Sequence, residues 1–342
     1  MIINREKLKE KLDILNKAYA QKTPMPVLSF IKLDDDTMTM SNNMITIITN
    51  IESTNIKALI PFKQLYDIVN KLSGNEFEMI QNDNKILIKS GRSKFNLVCG
   101  DFNEYPTFNL LDDINFVEIK TDKFIEVINK IYYACSKNEK RPILTGVNFD
   151  KAASATDSFR LARYNYDLGL NCTISYNDLN NLVSILKNTE SVKVRNNSSV
   201  ASFEFDDTIY QTRLLDGKYP DVSRLIVDSY AINCEVNKKD LIEAIERVNI
   251  LNNDDYNVIT LEIDNDNILV RNTSSQIGDG LEVVECKCNE LIKVACNSDY
   301  LIDALKSFDK DDVVLDFTDA SKPFAIRDGE LTALVLPVKV EA

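Results

Sequence analysis

The sequence predicts an α+β chain of three similar domains, each with two helices packed on antiparallel sheet. Helix-like segments recur at a spacing near 115 residues. Their apolar residues fall three and four apart, which marks one buried stripe on a helix lying against a sheet. Between them run alternating apolar and polar stretches divided by Asn, Asp, Ser or Gly, the pattern of hairpins.

The first helix of each unit reads REKLKEKLDILNKAY from Arg5, DKFIEVINKIYYAC from Asp122 and KKDLIEAIERVNIL from Lys238, at intervals of 117 and 116 residues. Leu8, Leu12 and Leu15 form the first stripe, Phe124, Ile125, Ile128 and Ile131 the second, and Leu241, Ile242, Ile245 and Val248 the third. A strand follows each: MPVLSFIKL (25–33), RPILTGVNF (141–149) and, more loosely, YNVITLEID (256–264). The second helices are PFKQLYDIVNKLSG from Pro61, SYNDLNNLVSILKN from Ser175 and NSDYLIDALKSFDK from Asn297. Each opens on Pro in the first turn or on a Ser or Asn cap. Alternating runs close each unit, and the first two units end alike, on DFNEYP (101–106) and DGKYP (216–220). Proline there stops a strand that must leave its sheet. The resulting domains are 1–115, 116–231 and 232–342.

A chain of 342 residues exceeds what one core usually covers, which agrees with several domains. No apolar run approaches the ~18 residues of a membrane helix. The start, MIINREKLKEKLDIL, carries charges where a signal peptide needs an apolar core. The expectation is a cytoplasmic protein with no membrane partner. Its seven Cys are then reduced and semi-buried. Cys286 and Cys288 are the only close pair; alternation puts both thiols on one face of a strand.

There is no His, so Ser-His-Asp triads, Cys-His pairs and HExxH metal sites are excluded. Neither GxxxxGK[ST] nor GxGxxG occurs, and SGRSKF (90–95) lacks the spacing of a phosphate cradle. No catalytic residue, metal site or cofactor is expected. A carboxylate-metal hydrolase built on DDD (34–36) or DNDN (264–267) is the enzyme alternative, but both stretches read as hairpin turns.

Net charge is −13, which on its face argues against nucleic acid. The charge is unevenly spread. Residues 1–22 hold six basic and three acidic side chains, and residues 120–141 the same. Acidic runs sit in expected turns, such as Asp34–Asp36, Asp112–Asp113, Asp206–Asp207, Asp254–Asp255 and Asp309–Asp312. Basic helices with acidic turns can attract phosphates on one surface without reading bases.

The segments PMPVLSFIKL, IKSGRSKFNLV, ATDSFRLA, LLDGKYPDVSRLI and a terminal LVLPVKV resemble the beta subunit of bacterial replicative DNA polymerase, the sliding-clamp family. The resemblance spans the whole chain. It implies a DNA-clamp fold in which three domains make half of a six-domain ring. Two chains join head-to-tail around duplex DNA, with helices lining the hole. The implied role is to tether the polymerase and other clients, not to catalyse. The implied DNA-facing residues are Arg5, Lys7, Lys11, Lys22, Lys123, Lys130 and Lys137.

By the same resemblance, short peptide motifs of the polymerase and the clamp loader dock on Thr156, Ser158, Phe159, Arg160, Leu161, Pro220, Arg224, Leu225, Asn297, Tyr300, Leu334, Leu336, Pro337 and Val338. The apolar members suit a groove, while Arg160, Arg224 and Asn297 suit a peptide backbone or an acidic side chain. Two departures stand out: Ser158-Phe159 replaces the family's usual Gly-His, and Lys339-Val340 with Glu341-Ala342 replaces its basic-Leu ending. The terminal run also reads as an edge strand completing the last sheet. The implied homodimer seam joins Phe95 and Leu97 to Ile250 and Leu251, near NILNN (249–253). The alternative function is a three-repeat peptide-binding scaffold that never encircles DNA.

Overall fold

The computed structural model describes residues 1–251, 257–274 and 278–339. Tyr256, Asn252, Asn253, Asp254–Asp255 and the closing Val340, Glu341 and Ala342 lie outside them. The described helices are α1 (Arg5–Leu15), α2 (Phe62–Lys71), α3 (Thr121–Ile131), α4 (Tyr176–Ile185), α5 (Lys238–Val248) and α6 (Ser298–Lys306). They fall where the period places them.

The repeat is also written in hydrogen bonds. Short strands Ile2–Asn4, Val117–Lys120 and Ile232–Asn237 lead into α1, α3 and α5 and pair antiparallel with Glu76–Asn82, Ser191–Asn196 and Asp312–Phe317. In each copy the first helical N–H donates to the carbonyl just before that partner strand. Arg5 donates to Asn75 at 2.8 Å, Thr121 to Glu190 at 3.1 Å and Lys238 to Asp311 at 2.7 Å. Asn4 and Asn237 cap α1 and α5 by accepting from the N–H groups of Lys7 and Asp240. Such a cap is worth ~1 kcal/mol. The stripes bury largely as expected: Leu8, Leu12 and Leu15 on α1, Leu241, Ile245 and Val248 on α5. Ile125 and Ile242 are only half-buried; Val127 and Ala244 take the buried places.

The described chain forms two compact bodies. The first holds Met1–Asp122 and Asn177–Leu214, the second Lys123–Tyr176 and the residues from Leu215 on. The central repeat is therefore shared between them. In the first body Ile45–Asn50 pairs with Thr208–Arg213, Ile47 opposite Tyr210, and makes one eight-stranded sheet. In the second, Arg160–Tyr164 pairs with Leu331–Val335, Ala162 opposite Ala333, inside a twelve-stranded sheet. Each repeat satisfies an open strand edge with its neighbour's, which removes a site of unwanted pairing.

The two Tyr-Pro turns do equivalent work in separate bodies. The Tyr105 hydroxyl donates to the Thr39 carbonyl at 3.4 Å, and that of Tyr219 to the Ser154 carbonyl at 3.5 Å. Tyr105 packs on Leu28 and Leu59, and Tyr219 on the cluster of Leu161, Val222, Ala325 and Leu334. Each ring latches the exit segment onto its own repeat's sheet. Burial raises both phenol pKa values.

Both acidic stretches of the enzyme alternative are turns. Asp35-Asp36 closes a two-residue hairpin with Asp34 opposite Thr37, as Asp206-Asp207, outside that alternative, does with Phe205 opposite Thr208. Asp35 and Asp206 take φ of +57° and +48°, which Asp tolerates better than most residues. Asp264 closes the other loop by accepting from the N–H groups of Asp266 and Asn267. The terminal strand departs from the edge expectation: Leu331–Val335 lies inside the sheet, between Arg160–Tyr164 and Phe324–Asp328. Pro337 falls after its end, where the tail crosses to Ile292–Asn297 through a bridge to Cys296 and a Val338 N–H to Ala295 carbonyl bond of 2.8 Å.

Candidate functional site

Of the basic candidates, those on helices are committed to carboxylates. Arg5 pairs with Glu6, Lys7 with Glu52 at 2.9 Å, and Lys11 with Asp207, while Lys11 also donates to the Thr49 hydroxyl at 3.2 Å. In the second body Lys123 reaches Glu330 at 2.9 Å, Glu126 at 3.3 Å and the Tyr164 hydroxyl at 2.8 Å. Its ammonium lies 4.6 Å from the centre of the Tyr164 ring. Burial works against the Lys123 charge, but its hydrogen bonds to Tyr164, Glu330 and Glu126 outweigh this and raise its pKa. Lys130 donates to the Ser307 carbonyl at 2.6 Å and to Asp309 at 2.5 Å.

The loop candidates differ. Lys22 and Lys137 are exposed and make no ion pair among the described residues. Lys140 and Arg141 share that state and line the same cavity as Lys137. Sequence reasoning counted charge segment by segment. It missed the partners Glu52, Asp207, Asp309 and Glu330, which come from turns distant in the chain.

The peptide candidates lie in the second body and divide in two. Thr156 to Arg160 form a tight turn that ends Ala153–Thr156 and begins the next strand. The Thr156 hydroxyl donates to the Arg160 carbonyl at 2.6 Å, and Asp157 accepts from the N–H groups of Phe159 and Arg160. Ser158 has φ of +82°, a conformation suited to Gly. Arg160 is buried, bonded to Asp157 at 3.0 Å and Asp303 at 2.6 Å, with its guanidinium 4.5 Å from the Tyr300 ring centre. Its charge is already matched within the chain, so it positions Tyr300 and the turn. Phe159 is 60% exposed and stacks on Tyr300 at 6.4 Å.

A cavity of about 700 Å³ brings together Ser158, Phe159, Arg160, Asn297 and Tyr300. Asn297 caps α6 by accepting from the Tyr300 N–H at 3.0 Å, which fixes that wall. The Leu336 N–H donates to the Phe159 carbonyl at 3.0 Å, so the tail is tied to the same turn. Leu161 and Leu334 do not line this cavity; they are buried with Val222 and Ala325. Leu225 is half-exposed, Pro220 is exposed, and Arg224 projects to solvent with Asp221 at 3.2 Å. Val338 is exposed and Leu336 and Pro337 are half-buried.

The seam candidates sit on sheet edges. Phe95 and Leu97 belong to Ser93–Val98, the last strand of a four-stranded sheet in the first body. Phe95 is part-exposed and walls a cavity of about 290 Å³ with Ile68 and Leu72, whereas Leu97 is buried. In the second body Ile250 is 78% exposed on the turn after α5, and Leu251 is half-buried beside Gly280. In the strand Gly278–Cys288, residues 278–285 pair with Asn267–Ser274, but Ile232–Asn237 covers only the Cys286–Cys288 end. The open stretch exposes Leu281 and Val283, which sequence reasoning missed. The adjacent Val283-Val284 was the available signal, since a period of two turns one of them outward.

Three family models match in chain order: the DNA polymerase III beta subunit N-terminal domain over residues 1–110, its central domain over 118–221 and its C-terminal domain over 223–339. The beta sliding clamp of Staphylococcus aureus is 30% identical, with 98% of each chain covered. Among solved structures, the DNA polymerase sliding clamp of Bacillus subtilis is 28% identical with a TM-score of 0.92, and 99% of both chains is covered. The beta subunit of Streptococcus pyogenes DNA polymerase is 25% identical, with the same TM-score and coverage. The chain belongs to the DNA polymerase III beta subunit family.

Proposed function

We propose that this chain is a sliding clamp. Two copies close head-to-tail around duplex DNA and tether the replicative polymerase for processive synthesis, with no catalysis of their own. The domains are 1–115, 116–231 and 232–342, and the protein works in the cytoplasm. The observation that carries the reading is that all three family domains match in order along one chain. Retention comes from closure, so weak contacts from Arg5, Lys7, Lys11, Lys22, Lys123 and Lys137 suffice, and their rapid exchange permits sliding.

The polymerase and the clamp loader dock through short peptides at the cavity beside Phe159 and Tyr300 and along the nearby Leu225 and Leu336. The open edge of Ser93–Val98 supports a seam with the partner's exposed Ile250, Leu281 and Val283, because unpaired strands seek partners. The deciding experiment loads the protein on circular duplex DNA and then linearises it. Retention on the circle and loss from the linear form are expected. Equal retention on both forms, or none on either, favours the peptide-binding scaffold instead. Leu336→Ala should weaken client-peptide binding, and Leu251→Ala should shift sedimentation toward monomer.

A further inference from the structure

Cys286 and Cys288 are joined in space by a third thiol, that of Cys234 on the neighbouring strand. Cys234 stands directly opposite Cys288, and Val236 opposite Cys286. The N–H groups of Cys286 and Cys288 point away from this strand, donating to the carbonyls of Asp266 at 2.8 Å and Asn265 at 2.9 Å. Cys234 and Cys288 are therefore a non-hydrogen-bonded antiparallel pair. That is the closer kind, with Cα atoms ~4.5 Å apart, inside the ~4.4–6.8 Å that a disulfide spans.

Side-chain alternation puts Cys286 on the same face. All three are buried, with exposures of 0% for Cys234, 9% for Cys286 and 8% for Cys288. Burial above all, and then the neighbouring Cys286 and Cys288 thiols, raises the pKa of Cys234. The remaining cysteines, at 99, 135, 172 and 296, show no such contact among the described residues.

We propose that Cys234 and Cys288 form an oxidation site that closes to a disulfide when the protein meets a peroxide, with Cys286 as a neighbouring thiol. Cys288 ends its strand, so local opening of that end brings its sulfur to solvent. Its thiolate attacks one peroxide oxygen and hydroxide leaves, giving the sulfenic acid. The Cys234 sulfur then attacks the Cys288 sulfur and the second oxygen leaves as water. Two thiols lose two electrons and two protons, and one peroxide becomes two waters. Both thiols are buried, so peroxide reaches them only when the strand end opens, and the pair stays reduced otherwise. The bond would staple the strand that opens the third repeat to the strand carrying Leu281 and Val283.

The test treats the folded full chain with hydrogen peroxide, quenches by alkylation in denaturant, counts thiols and maps linked peptides. The expected result is a fall from the seven free thiols to five, a 234–288 linked peptide, and a melting temperature that rises by several degrees and returns on reduction. Cys286→Ser should keep the link; Cys234→Ser and, separately, Cys288→Ser should abolish it. Seven thiols surviving while added glutathione is oxidised would overturn the proposal. So would the same loss in both single variants, or a link mapping elsewhere.

Discussion

The cations on helices and the cations on the loops that follow them look alike in sequence and differ in structure. Lys7, Lys11, Lys123 and Lys130 each hold a carboxylate, whereas Lys22, Lys137, Lys140 and Arg141 make no ion pair among the described residues. A paired ammonium is a local dipole, and its attraction for a phosphate is reduced by the carboxylate that must first move aside. An unpaired one presents its whole charge and releases a counterion from the DNA when it binds. The count of three excess positive charges in each basic segment thus overstates what the helices offer and understates the share of the loops.

Lys22→Ala with Lys137→Ala gives the largest effect. Affinity for a short linear duplex at low salt should fall about tenfold, and the slope of log affinity against log salt should shrink by roughly 1 to 2. Fluorescence anisotropy over a salt series measures both. Lys7→Ala with Lys11→Ala should cost only about two- to threefold with little change of slope, since each ammonium must first leave its carboxylate. A helix pair that matters more than the loop pair would break the comparison.

The reasons for this division were only partly visible in the sequence. The triplication was, because helix stripes such as Leu8, Leu12 and Leu15, caps such as Asn297 and turns such as Asp35-Asp36 are local signals. Strand pairing between Ile45–Asn50 and Thr208–Arg213 was not, since any alternating run offers the same backbone edge. The ion pairs were hidden for a related reason: Lys11 and Asp207 meet across 196 positions, and only that sheet pairing brings them together. At the cavity beside Phe159 and Tyr300 the residue types were readable, and Ser158 stood out as a departure. That Arg160 is spent inside the fold on Asp157 and Asp303 required the geometry.

The converse substitution sharpens the same point with a smaller effect of opposite sign. Glu52→Gln with Asp207→Asn removes the partners of Lys7 and Lys11 and keeps their shapes. Affinity should rise about twofold and the salt slope should steepen by up to about 1. A control set of carboxylates that make no ion pair among the described residues, Glu104→Gln with Asp113→Asn, changes net charge equally. Equal gains in both sets would mean that overall charge, not local pairing, governs binding.

The smallest binding effect belongs to Lys130, and it separates charge from position. Its side chain is only 16% exposed, with two short bonds, to the Ser307 carbonyl and to Asp309. A phosphate would have to displace both and draw the ammonium outward. Lys130→Met keeps the aliphatic stem, so duplex affinity should stay within experimental error. Stability should fall by about 1–2 kcal/mol, because the Ser307 carbonyl and the Asp309 carboxylate lose a charged donor. Urea unfolding reads this directly. A Lys130→Met protein of unchanged stability but weakened DNA binding would place Lys130 with the loop cations and erase the distinction between the two sets.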